Sequence, residues 1–188
     1  MPDLFSPLTL RGLTLRNRTV VAPMCQYSAQ MGLANDWHLV HLGRFAAGGF
    51  GLVVVEATGV EARGRISYGC LGLWSDAQIA PLKRIVDFVH TQNAAIGIQL
   101  AHAGRKASAQ LPFLPKPDQE EKARHSWEDW TPVAPSALPH DAGSKLPHAL
   151  TVAEIGDVRA AFVEAAKRAD RAGFDLVGEV LNEVAAAQ

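Results

Sequence analysis

Two runs of continuously apolar residues, Gly-Leu-Val-Val-Val-Glu at 51–56 and Ala-Ile-Gly-Ile-Gln-Leu at 95–100, flank a stretch with helical periodicity. A strand that fails to alternate is apolar on both faces, as happens where helices cover a parallel sheet. Between the runs, residues 76–92 place Ile79, Leu82, Ile85, Val86 and Val89 on one helical face. Strand, helix and parallel strand in that order form a right-handed crossover unit, which restricts the chain to the α/β class.

The same rhythm extends in both directions. Thr-Val-Val-Ala at 19–22 is a short buried-type strand stopped by Pro23. A helix follows from Asp36, with Asn35 or Asp36 as its N-cap and Gly48-Gly49 as its stop. A further helix opens at Thr151, with Glu154 completing a capping box, and ends at Gly173 ahead of a strand at 174–177. Upstream of all this, Leu8, Leu10, Leu13 and Leu15 alternate around Gly12, which predicts a β-hairpin within 1–18. Residues 102–150 hold seven of the eleven prolines and read as one long loop after the third strand, a length that in a compact domain usually marks function or disorder.

Two architectures accommodate alternating strands and helices. A doubly wound nucleotide-binding sheet usually has a glycine-rich turn after its first strand, but here that turn is Pro-Met-Cys-Gln-Tyr at 23–27. A (β/α)8 barrel carries its chemistry on the loops after the strands, where this sequence keeps its unusual residues. The expectation is therefore a single domain over 1–188: an N-terminal β-hairpin and the N-terminal half of a (β/α)8 TIM barrel, truncated after the fourth strand. Such barrels typically need about 250 residues, and four strands are visible.

Composition removes other classes. Lys plus Arg number 18 against 19 Asp plus Glu, in scattered positions, so neither nucleic acid nor an anionic membrane is an expected partner. No apolar run approaches the roughly 20 residues needed to cross a bilayer, and Met1–Pro7 lacks the signature of a signal peptide. Two cysteines, Cys25 and Cys70, stand outside any metal-ligand spacing, so the expectation is free thiols in a reducing cytoplasm and no bound metal.

The strand-end segments are distinctive: Ala-Pro-Met-Cys-Gln-Tyr at 22–27, Val-Glu-Ala-Thr at 55–58 and Gly-Ile-Gln-Leu-Ala-His-Ala-Gly-Arg-Lys at 97–106. With Asn17-Arg18, Asn-Asp-Trp-His at 35–38 and Gly-Leu-Trp-Ser-Asp at 72–76, they resemble the old yellow enzyme family. The likeness is closest to its branch of xenobiotic reductases and NADPH dehydrogenases, and it runs from Leu4 to Val177.

That resemblance implies FMN across the C-terminal mouth of the barrel, reduced by NADPH or NADH, with hydride passed to an activated alkene such as an enone or nitro compound. Pro23 and Met24 would contact the flavin ring, and Cys25 would sit near its N5 and C4 carbonyl as a weak donor that tunes its potential. Taken without the family, Cys25 is a small buried hydrophobe. Tyr27 would offer its phenol to the substrate as hydrogen-bond donor or proton source; its plainer reading is a packing tyrosine. Ala57 would present a backbone N–H beside a side chain small enough to admit the ring.

Gln99 is the strongest candidate on physical grounds alone. An amide inside an apolar strand is costly unless satisfied, and its donor and acceptor suit the uracil-like edge of a flavin. Arg105 and Lys106 are placed to steer NADPH phosphates or line the substrate pocket, with solvated loop cations as the plain alternative. His102 precedes them. His38 and His41, three apart on a helix, have metal-like spacing but no third ligand, so helix packing is the expectation. Trp127 and Trp130 are candidates for a lid or a dimer contact.

The sequence departs from the family pattern after 174–177. Family members continue into His-x-x-His or His-x-x-Asn, which polarises the substrate; here no histidine follows His148, and the Ala-rich tail reads as a short extra helix. The arginine facing the flavin N1 and the loops gripping its phosphate would also fall beyond residue 188. The expectation is a chain incomplete as a catalyst, either a truncated gene product or one half of an assembly completed by a second copy or a complementing chain. A catalytically inactive binding or regulatory module is the alternative.

Overall fold

The computed structural model describes residues 3–112 and 129–181. It opens with a hairpin, β1 (Leu8–Leu10) and β2 (Leu13–Leu15), paired antiparallel around Arg11 and Gly12. The main sheet has four parallel strands in chain order: β3 (Val20–Val21), β4 (Leu52–Gly59), β5 (Ala95–His102) and β8 (Leu176–Leu181). Helices α1 (Asp36–Ala47), α2 (Ile79–Thr91) and α3 (Val152–Ala172) make the crossovers. Two short strands, β6 (Val133–Ala134) and β7 (His148–Ala149), pair within the long loop after β5. This is the expected half of a (β/α)8 barrel.

Period and burial explain which face is which. Val53, Val55, Ile96, Ile98 and Leu100 point to the helices and are fully buried with Leu82, Ile85, Val86 and Val89 of α2 and Phe162, Ala165 and Ala169 of α3. The opposite face is the barrel interior. At its lower end Leu52 and Ala95 are covered by Leu15 of the hairpin, with Leu8, Leu13 and Val54 packed against them. The hairpin thus closes the base of the barrel and leaves the upper interior face open. Arg16 fastens that base: its guanidinium donates to Ala46 O at 2.8 Å, Phe50 O at 2.9 Å and Gln92 O at 2.8 Å, at the C-terminal ends of α1 and α2.

The helix ends follow their sequence signals. Asn35 caps α1 by accepting from Trp37 N, and Thr151 and Glu154 form a reciprocal capping box on α3. Gly173 ends α3 in the left-handed conformation, φ 91°. The predicted 76–92 helix begins with a 3-10 turn, Asp76–Gln78, capped by Ser75, before α2 proper. The fourth strand departs from expectation. It begins at Leu176 and runs on through residues 178–181, where a short helix was predicted, because the backbone there completes a ladder with β5 from Gly97↔Leu176 to His102↔Leu181. Ladder pairing outweighs local composition in that stretch. Residues 182–188 lie outside the described range. No helix among the described residues is long and apolar enough to cross a membrane.

Candidate flavin-facing site at the strand ends

The upper interior face is built by register. Ala57 pairs with Gln99, and Gln99 with Gly178, so the three form one row across β4, β5 and β8. All three are half-buried. With small residues on both sides, Gln99 is the one side chain in that row that projects, and its amide bonds to no other described residue. A polar strand side chain open to a concave face has its donor and acceptor available there.

Ala57 owes its place to a β-bulge. The β4–β5 ladder runs Val55↔Ile98 and then Ala57↔Gln99, so Glu56 is the extra residue. Without it, Glu56 would face Gln99 and Ala57 would turn toward the helices. The displaced Glu56 is 3% exposed and pairs with His38 of α1, Oε1 to Nε2 3.3 Å. Its other oxygen accepts the Gln26 N–H at 2.9 Å. His38 Nδ1 lies 3.2 Å from Asn35 N and 3.0 Å from Asn35 Oδ1, while Nε2 faces the carboxylate without making a hydrogen bond. The predicted packing role of His38 thus includes a buried contact with Glu56, whereas His41 lies apart, beside Arg44 at 3.3 Å and edge-on to Phe45. No metal-binding cluster exists among the described residues.

Residues 23–27 form a strap over the strand ends. Met24 is exposed, and Pro23, Cys25 and Tyr27 are half-buried. Tyr27 adopts φ 52°, a left-handed conformation that a bulky side chain adopts only when its surroundings impose it. Those surroundings are the Gln26–Glu56 bond below and Gly69 alongside, where an added Cβ would stand 2.6 Å from Tyr27 O. Burial, ahead of the neighbouring Cys25, raises the Tyr27 phenol above its ordinary value, so it remains a donor at neutral pH. The Cys25 thiol is also pushed up, first by its hydrogen bond to Cys70 and then by burial. The Ala57 backbone, close by, works against both effects.

The remaining candidates gather elsewhere. His102 is buried; its Nδ1 accepts from Gly104 N at 3.0 Å and its Nε2 donates to Glu61 at 2.8 Å, which fixes the turn after β5. Arg105 and Lys106 line a polar cleft with Asp141, Ser144 and Lys145, a lining that does not include Cys25, Tyr27 or Gln99. Trp130 anchors the long loop, donating Nε1–H to Arg63 O at 2.8 Å and stacking on the Arg65 guanidinium at 4.8 Å. Trp127 falls outside the described residues. Glu56 and Cys70 were missed from sequence. The first is concealed by the bulge, which breaks the period of two, and the second by its distance along the chain from Cys25.

Gln99 between two small neighbours, with the segment bearing Cys25 and Tyr27 fastened to Glu56 at the end of β4, offers a polar amide and an open small-residue surface of the kind a flavin ring needs. Comparison with known proteins agrees. An NADH:flavin oxidoreductase of Gibberella zeae is 51% identical over 174 residues, 92% of this chain and 42% of that protein. An NADPH dehydrogenase of Listeria monocytogenes is 47% identical over 179 residues, 94% of this chain and 47% of that protein. Among solved structures, morphinone reductase superposes with a TM-score of 0.79 at 30% identity, covering 95% of this chain and 47% of its own. The chain therefore spans about half the length of the relatives it matches. Residues 3–183 match the NADH:flavin oxidoreductase / NADH oxidase family, and the chain belongs to that family, that of the old yellow enzymes.

Proposed function

We propose that this chain forms the ring-binding face of an FMN-dependent ene-reductase. The observation that carries the reading is the Ala57–Gln99–Gly178 row, in which one amide without a partner among the described residues stands between two small residues on the open interior face. FMN bound there would supply hydride chemistry, taking hydride from NADPH or NADH and giving it to the C=C bond of an activated alkene. Gln99 would bind the polar edge of the ring through its carbonyl and amino groups. Pro23 and Met24 would cover the ring, and Cys25 would border it. Tyr27, kept protonated by its setting, would hold a proton beside the substrate. Arg105 and Lys106, in their separate cleft, would meet the phosphates of the nicotinamide coenzyme or the outer part of the substrate rather than the reacting atoms.

The phosphate grip and the substrate-polarising pair belong to the other half of a closed barrel. That half, carried by whichever chain, is the occupant we assign to the β8 edge and to the apolar groove formed there by Ile155, Val158, Phe162 and Val163 of α3 beside Glu179. Flavin fluorescence quenching on titrating the full chain with FMN tests the ring-binding claim. Binding should occur, and Gln99→Leu should weaken it about tenfold, the worth of one hydrogen-bonded contact. Equal binding by both proteins would remove the claim.

A further inference from the structure

Beneath the strap, between β3, β4 and α1, lies a cavity of about 10 Å³, the room one water molecule needs. Val21, Leu42, Val55 and Leu71 supply its apolar walls, and His38 and Glu56 bring polar groups to it. These two side chains are 1% and 3% exposed. His38 Nε2 and Glu56 Oε1 stand 3.3 Å apart, and neither atom hydrogen-bonds a group among the described residues. The other polar atom of each side chain is engaged: His38 Nδ1 with Asn35, and Glu56 Oε2 with the Gln26 N–H at 2.9 Å. Each side chain therefore keeps one buried polar atom for the cavity.

We propose that this cavity binds one ordered water molecule, which joins Glu56 Oε1 to His38 Nε2 and so helps to hold the strap over the strand ends. Apolar cavities stay dry, whereas a polar one that offers two partners and enough room retains its water. Buried polar atoms without partners are costly, and water has donors and acceptors for both of these. It donates one hydrogen to the carboxylate. Toward the ring it either accepts from an Nε2–H or donates to a bare Nε2. Asn35 presents both a backbone N–H and a side-chain oxygen to Nδ1, so the helix cap suits either tautomer, and so does the water. A metal ion fits less well, because no group of three or more His, Cys, Asp or Glu gathers among the described residues.

The place of the cavity gives the water its consequence. Glu56 is the extra residue of the β4 bulge, and its second oxygen carries Gln26, which stands between Cys25 and Tyr27. The strap is also tied to the start of α1: Trp37 Nε1 donates to Gln26 Oε1 at 3.1 Å, and Asn35 Nδ2 donates to Ser28 O at 2.7 Å. Strap to bulge and strap to helix are thus two sides of a triangle. The water supplies the third, bulge to helix, and fixes the Glu56 carboxylate at both oxygens. Without that link the carboxylate is free to turn, and the strap loses its hold on β4. Glu56 and His38 are positioning residues that act through Gln26. The site is built wholly from this chain and needs no flavin, so it stands or falls separately from the reductase reading.

The test uses the full chain without flavin. Its crystal structure should show one oxygen between the two side chains, at the ordinary hydrogen-bond distance of roughly 2.7–3.2 Å from each. Two variants separate the water from the helix cap. His38→Gln keeps a polar atom near the place of Nε2 and gives up the Nδ1 contact, whereas His38→Asn keeps the Nδ1 contact and gives up Nε2. Amide hydrogen exchange at Gln26, read by NMR, should stay near the wild-type rate in His38→Gln and quicken about tenfold in His38→Asn, the loss of one hydrogen-bonded link. The amide of Ile98, fully buried in β5, reports whether each variant is folded; should either fail to fold, the wild-type crystal structure decides. Any of four results overturns the proposal: no atom between the side chains, a direct His38–Glu56 hydrogen bond in its place, an atom held at the shorter distances of a metal ion, or Gln26 exchange that does not differ between the two folded variants.

Discussion

Glu56 is enclosed between His38 Nε2, 3.3 Å from one carboxylate oxygen, and the Gln26 N–H, 2.9 Å from the other. In Glu56→Gln, the side-chain oxygen can still accept from Gln26, but the group facing His38 Nε2 changes from a carboxylate oxygen to an amino group. That mismatch should cost about 3 kcal/mol, and the loss should be strongly non-additive with His38→Ala, since breaking a buried pair leaves its other half exposed to the full penalty. Urea denaturation of the two single variants and the double variant measures it; simple additivity would mean that the two side chains act independently. Sequence reading singled out Gln99 because one amide in an apolar run is conspicuous by chemistry alone. It could not reach Glu56, because Val-Val-Val-Glu-Ala reads equally as the end of a strand, nor Cys70, whose partner lies outside any local window.

The N-terminus of α3 shows how an element is held by a few bonds. Thr151 N and Oγ1 donate to Glu154 at 2.7 and 2.9 Å, and Glu154 N returns a bond to Thr151 Oγ1. Thr151→Ala should lower stability by about 1 kcal/mol in thermal or denaturant melts, the usual worth of a cap. The bonds from the Thr151 backbone and side chain, then His148, hold the Glu154 carboxyl down to about 2 from its ordinary 4.5. A depressed carboxyl stabilises the fold above its unfolded value, and that contribution is lost as pH falls through the folded one. Melts of wild type and Glu154→Gln should therefore differ near neutral pH and converge as pH approaches about 2; a gap that persists there would rule out the carboxylate as its source. This box was legible because both partners lie within one turn. The extent of β8 was not, because residues 178–181 are committed to strand by β5, seventy-odd positions upstream, and not by their own propensities.

Across the whole molecule, the base of the barrel depends on Arg16 as much as on the leucines around it. Its guanidinium gathers the last carbonyls of α1 and α2 beneath the hairpin, neutralising two helix C-termini at once. Arg16→Ala should cost about 3 kcal/mol, and Arg16→Lys should recover less than half of it, because an ammonium cannot span three carbonyls in a plane. Chemical denaturation ranks the three proteins; full rescue by lysine would show that charge alone suffices. The architecture was legible from the alternation of buried runs and amphipathic helices. The lie of the site was not, because the bulge changes which residues are odd and which are even. That change has a consequence for anyone recombining such half-barrels. Counting residues from the start of β4 gives the wrong inside and outside for everything past Val55. A graft that pairs β4 by that count would send Ala57 among the helices and Thr58 into the lumen, whereas deleting Glu56 itself would leave Ala57 opposite Gln99, so a crossover point is safe only where the bulge is carried whole.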